Sequence, residues 1–142
     1  MIPTTEKITV LCVDDEKAVL NALGRTLNPV GKEAEFDFRR LLVPTDAQTI
    51  EDVRAHIASL PAKAIIVTDR MMPGVSGVDV IREAKATGHP VALLTGTPPS
   101  ETEKAQLRKD GLFPDALLTK PWNAVQLRMT LKRLFESVDR TT

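Results

Sequence analysis

Apolar residues in this chain follow two rhythms that take turns. Ile8-Thr9-Val10-Leu11-Cys12-Val13 is a β-rich run that stops at Asp14-Asp15-Glu16. From Lys17 to Leu27 the spacing changes, and Val19, Leu20, Leu23 and Leu27 recur as they would on one face of a helix. Asp14 or Asp15 is positioned to cap that helix, and Asn28-Pro29 ends it. Glu35 to Val43 alternates and then turns apolar, which predicts an edge-type second strand. The chain restarts at Pro44-Thr45-Asp46, and Ala47, Ile50, Val53, Ile57 and Leu60 mark a second helix stopped by Pro61. Lys63 to Thr68 is a third strand, nearly continuously apolar, running into Asp69 and broken by the turn Met72-Pro73-Gly74. Ser76-Gly77 opens a third helix with Val78, Ile81, Ala84 and the stem of Lys85 inward, closed by Gly88-His89-Pro90. Val91 to Thr95 is a fourth strand. Ser100-Glu101-Thr102-Glu103 reads as a capping box for a fourth helix reaching about Asp110. Asp115 to Thr119 is a short fifth strand, and Leu127, Leu131, Leu134, Phe135 and Val138 form the apolar face of a last helix, Asn123 to about Asp139.

Strand and helix thus alternate five times. Right-handed crossovers turn such a chain into an α/β fold, a five-stranded parallel sheet with helices on both faces. The flavodoxin-like order 2-1-3-4-5 suits five units and puts the mixed second strand at an edge. The 142 residues fit one domain, with no second domain in the chain.

Composition narrows the function. Hydrophobic residues make up 42% and charged residues 27%, with nineteen bases against nineteen acids, so overall charge suggests neither nucleic-acid nor membrane binding. No apolar run approaches the roughly eighteen residues of a membrane span, and residues 1–7 lack a signal peptide's pattern. The single cysteine, Cys12, excludes an internal disulfide framework and suits a buried site in a reduced, cytoplasmic protein.

The chemistry is at the strand ends. Strands one, three, four and five deliver Asp14-Asp15, Asp69, Thr95 and Lys120 to one rim of a parallel sheet. Three carboxylates together repel, and a hard cation with oxygen ligands such as Mg²⁺ resolves the conflict. Lys120 is able to pair with Asp69 or with an oxygen of a bound phosphoryl group, Thr95 offers a hydroxyl to another oxygen, and Gly96 leaves room. An aspartate so placed is a nucleophile toward phosphorus, forming an aspartyl phosphate.

The segments Val13-Asp14-Asp15-Glu16, Asp69 to Gly77, Leu93-Leu94-Thr95-Gly96 and Thr119-Lys120-Pro121-Trp122 resemble the motifs of phospho-receiver domains of bacterial two-component response regulators. The resemblance covers nearly the whole chain and implies a single receiver domain over 1–142. It implies that Asp69 is the phosphoacceptor, charged by a histidine kinase, a histidine phosphotransfer protein or a small phosphodonor. Asp15 would then bind Mg²⁺ directly and Asp14 mainly through water, with Asp69 and the Met71 carbonyl completing the metal site. Thr95 and Lys120 would grip the phosphoryl group. Arg70, Gly96 and Thr97 would flank the pocket, Thr97 and Met71 helping to set the phosphoryl lifetime. The switched surface would be helix 4, strand 5 and helix 5, used for an output partner or a homodimer. Trp122 is expected to pack on the helix 4 loop or, alternatively, to join Val125 and Met129 in a partner contact. His56 and His89 are expected at the surface.

Two departures from the family pattern stand out. Leu117 occupies a strand 5 position that is usually aromatic, in a chain with no tyrosine. The stretch around Gly31 to Pro44 is longer than usual, predicting a longer second strand or an extended loop. Three alternatives accompany the reading: a receiver excised from a regulator with an enzymatic or DNA-binding output, an Mg²⁺-dependent phosphatase with an aspartyl-phosphate intermediate on Asp14, and a scaffold indifferent to phosphorylation.

Overall fold

The computed structural model describes residues 6–140. Its elements in order are β1 (Ile8–Asp14), α1 (Lys17–Leu27), β2 (Phe36–Leu42), α2 (Ile50–Ala58), β3 (Ile65–Thr68), β4 (Met71–Met72), β5 (Val75–Ser76), α3 (Gly77–Ala86), β6 (Val91–Thr95), α4 (Glu101–Lys109), β7 (Ala116–Thr119) and α5 (Ala124–Arg140). Five strands form a parallel sheet in the order β2-β1-β3-β6-β7, the flavodoxin-like arrangement expected.

Side chains alternate across the pleat and fill two separate cores. Leu11, Val13, Ile66, Val91 and Leu93 point to the side covered by α2 and α3, where they meet Val53, Ile57, Val80, Ile81 and Ala84. Val10, Cys12, Ile65, Val67, Ala92 and Leu94 point to the other side, against Leu20, Leu23 and Leu27 of α1 and Leu127 and Leu131 of α5. Each fully buried Leu or Ile contributes about 1.5–3 kcal/mol relative to exposure. Gly24, a mild cost to α1, has a packing reason: a methyl group there would lie 3.0 Å from the ring of Phe38 on β2.

Several local expectations are corrected. The second helix begins at Ile50, later than Pro44-Thr45-Asp46 suggests. The Thr49 side chain accepts from Asp52 N–H while Asp52 accepts in return, and that reciprocal cap fixes the start. Asp46 serves the preceding turn, accepting from the Leu42 N–H at 2.8 Å. The Met72-Pro73-Gly74 turn joins two residues on each side in a small antiparallel hairpin, β4–β5. On α3 Val80 is fully buried beside Ile81 and Ala84, with Val78 only partly covered. The stretch around Gly31 to Pro44 is a seven-residue β2 preceded by an extended loop. His89 is buried, not exposed, its Nδ1 lying 2.9 Å from the Ala64 carbonyl oxygen; His56 is exposed as expected.

Candidate functional site

Strand register decides which residues meet at the carboxyl rim. Val13 pairs with Thr68, so Asp14 and Asp69, each one residue further on, stand side by side. The Asp69 N–H donates to the Val13 carbonyl at 3.0 Å. On the other flank Thr95 pairs with Thr119, and the Lys120 N–H donates to the Thr95 carbonyl at 3.0 Å. Four sequence-distant polar residues therefore share one rim because four apolar strands end in step.

Lys120 Nζ bridges the two acids, 2.8 Å from Asp14 Oδ2 and 3.3 Å from Asp69 Oδ2. Burial is the largest single influence on Lys120 and pulls its pKa down. The Asp14 hydrogen bond and charge, joined by Asp69, outweigh it and hold the ammonium above its usual range. Asp69 Oδ1 accepts from its neighbour's backbone, the Arg70 N–H at 2.7 Å. Asp14 Oδ1 accepts from the Glu16 N–H at 2.9 Å. Neither Asp14 nor Asp15 caps α1, contrary to expectation. Glu16 is the N-cap residue, without a side-chain cap, because β1 runs through Asp14 and the side chain of Asp14 turns to Lys120.

The donor set suits a hard cation. Oxygens of Asp14, Asp15 and Glu16 lie within 4.8 Å of one another. Glu16 was absent from the expected set, and its position directly after the acid pair is the signal that could have included it. Met71, expected to lend its carbonyl, begins the β4–β5 hairpin with an exposed side chain. Gly77 makes this corner possible: a Cβ there would lie 2.2 Å from the Asp69 carbonyl oxygen, and its N–H donates to the Arg70 carbonyl at 2.7 Å.

Thr95 is buried at the end of β6, and its hydroxyl is engaged within its own loop, accepting from the Thr97 N–H at 3.1 Å. Gly96 faces Lys120, where an added Cβ would sit 4.0 Å from the lysine Cβ. Arg70 reaches across the rim. Its Nη1 donates to the Thr97 carbonyl at 3.0 Å and its Nη2 pairs with Glu103. In the sequence Glu103 reads only as a helix cap, and nothing local reveals a partner on another loop. Trp122 does not rest on the helix 4 loop; half-buried against α1, it donates from Nε1 to Thr26 Oγ1 at 3.0 Å. Val125 and Met129 are exposed on α5, each at 56%. Leu117 is half-buried and packs on the α2–α3 side.

No family model matches the chain. It is 32% identical over 145 residues to the transcriptional regulatory protein YvrH of Bacillus subtilis (strain 168), covering 96% of this chain and 54% of that protein. It is 29% identical over 134 residues to the hydrogenase transcriptional regulatory protein HoxA of Cupriavidus necator, covering 93% of this chain and 25% of that protein. The chain therefore spans about half of one relative and a quarter of the other. Among solved structures, the CheY-like response regulator receiver domain protein of Methanospirillum hungatei JF-1 superposes with a TM-score of 0.72 at 19% identity, covering 96% of this chain and all of that one.

Proposed function

We propose that this chain, a receiver domain of the response-regulator type by fold and by sequence similarity, accepts a phosphoryl group on Asp69 and switches a partner-binding surface in response. The observation that carries the reading is Lys120 Nζ lying between Asp14 and Asp69 at a rim built from four strand ends. A carboxylate oxygen of Asp69 attacks the donor's phosphorus. A new P–O bond forms as the bond from phosphorus to the donor atom breaks, and the electron pair leaves with the donor. That donor is the imidazole nitrogen of a kinase or phosphotransfer phosphohistidine, or the acyl oxygen of a small phosphodonor. Lys120 offsets the charge gathered at the rim, and Thr95 supplies a hydroxyl to a phosphoryl oxygen once freed from its loop. Mg²⁺, held by Asp14, Asp15 and Asp69 with the Met71 carbonyl, would shield the acids from the incoming anion.

The surface altered by this step is α4, β7 and α5, including Val125 and Met129, and it serves an output partner or a second copy. Leu117 offers no aromatic ring to relay the change, so the loop between β6 and α4 is the route. Among the described residues no helix is long and apolar enough to cross a membrane. The test is incubation with acetyl phosphate and Mg²⁺ followed by intact-mass measurement. A gain of one phosphoryl mass, lost in Asp69→Asn, is expected; no gain, or a gain that survives Asp69→Asn, rejects the assignment.

A further inference from the structure

We propose, resting on Asp69 as the phosphoacceptor, that Arg70 is a positioning residue whose guanidinium clamps the β6–α4 loop with the Thr95 hydroxyl turned onto its own backbone, restraining phosphoryl capture.

Thr97 is held from both ends. Its carbonyl accepts from Arg70 Nη1 at 3.0 Å, and its N–H donates to Thr95 Oγ1 at 3.1 Å. While that peptide stays in place, the Thr95 hydroxyl is committed to it and not to a group on Asp69. The other nitrogen of the clamp, Nη2, reaches Glu103 in the first turn of α4. Glu103 is itself oriented, accepting from the Ser100 N–H at 2.9 Å, so Arg70 is tied to the first turn of α4.

The helix it holds has few other anchors. No side chain of α4 is fully buried, and Leu107 is its only partly buried apolar contact with the core. Beneath the clamp lies a cavity of about 270 Å³ lined by Val78, Ile81, Leu93 and Leu107, which leaves α4 room to shift. The same residue also touches the reacting group, since the Arg70 N–H donates to Asp69 Oδ1 at 2.7 Å. A change at Asp69 and a change in the clamp therefore pass through one residue.

The experiment measures the rate of phosphoryl uptake from acetyl phosphate with Mg²⁺, by intact mass, in the full chain. Arg70→Met removes the guanidinium and keeps the stem. Glu103→Gln removes the charge and keeps an oxygen for the cap. Each is expected to speed uptake about two- to fivefold, the scale of a partly exposed ion pair, and the double variant no more than either. In a Thr95→Val background, Arg70→Met should change nothing. Unchanged or slower uptake in Arg70→Met, a gain that persists without the Thr95 hydroxyl, or fully additive gains in the double variant would each overturn the clamp. If the unaltered protein takes up no phosphoryl group on Asp69, the functional reading falls and the clamp with it. Asp69-dependent uptake that ignores both clamp residues removes the clamp alone.

Discussion

Lys120 separates two carboxylates whose side chains are only 3% and 12% exposed. Removing its charge leaves Asp14 unpaired in a nearly dry setting, so Lys120→Met is expected to cost about 3 kcal/mol in urea unfolding. Gly77 is governed by space alone. A Cβ 2.2 Å from a backbone oxygen cannot be accommodated by rotating a side chain, so Gly77→Ala should lower the melting temperature sharply. Gly24→Ala, which meets only the edge of the Phe38 ring, should stay near neutral because helix propensity offsets the contact. The rim residues were legible because Asp14, Asp69, Thr95 and Lys120 each terminate or directly follow an apolar run. His89 was not: its partner, the Ala64 carbonyl, is 25 residues away and comes near only when β3 and β6 pair. The Arg70–Glu103 contact, 33 residues apart, was hidden for the same reason.

Two helices begin with reciprocal caps, Thr49 with Asp52 and Ser100 with Glu103. Backbone N–H donors, chiefly Gln48 for Asp52 and Ser100 for Glu103, hold both carboxyls below their ordinary values of 3.8 and 4.5. A depressed folded pKa means stability that is present above the unfolded value and lost as pH falls through the folded one. Far-UV circular dichroism in acid should therefore show α2 and α4 weakening below about pH 4, and Asp52→Asn with Glu103→Gln should flatten that part of the profile. The Ser100 cap was readable because Glu103 follows at the spacing of a capping box, after a loop of prolines. The Thr49 cap was not, because Pro44-Thr45-Asp46 presents an equally good start, and only the structure shows Asp46 committed to the Leu42 N–H. The contact of Trp122 with α1, in place of the helix 4 loop, is hidden for a related reason. Its Nε1 bonds Thr26 on α1, and which helices flank α5 is a property of the sheet's winding, not of the local sequence.

Across the whole molecule, the proposed function and stability pull against each other at one rim. Oxygens of Asp14, Asp15 and Glu16 crowd within 4.8 Å, and like charges so close oppose the compact state. Asp15→Asn should raise stability by about 0.5 kcal/mol in chelator. Magnesium should then reverse the order of the two melting curves by binding the folded form of the unaltered protein more tightly. The fold class and strand order followed from five apolar runs alternating with helical spacing, since crossover handedness leaves few other layouts. The division of the interior into two cores is what the strand period of two requires of a sheet covered on both faces. One member of the α1–α5 core gives that interior a clock. Cys12 has no solvent exposure, and burial, with the Asp14 charge second, pushes its thiol far above the usual range. An alkylating reagent thus finds no thiolate until β1 parts from its neighbours, and where alkylation outpaces reclosing the pace of tagging counts those openings one molecule at a time.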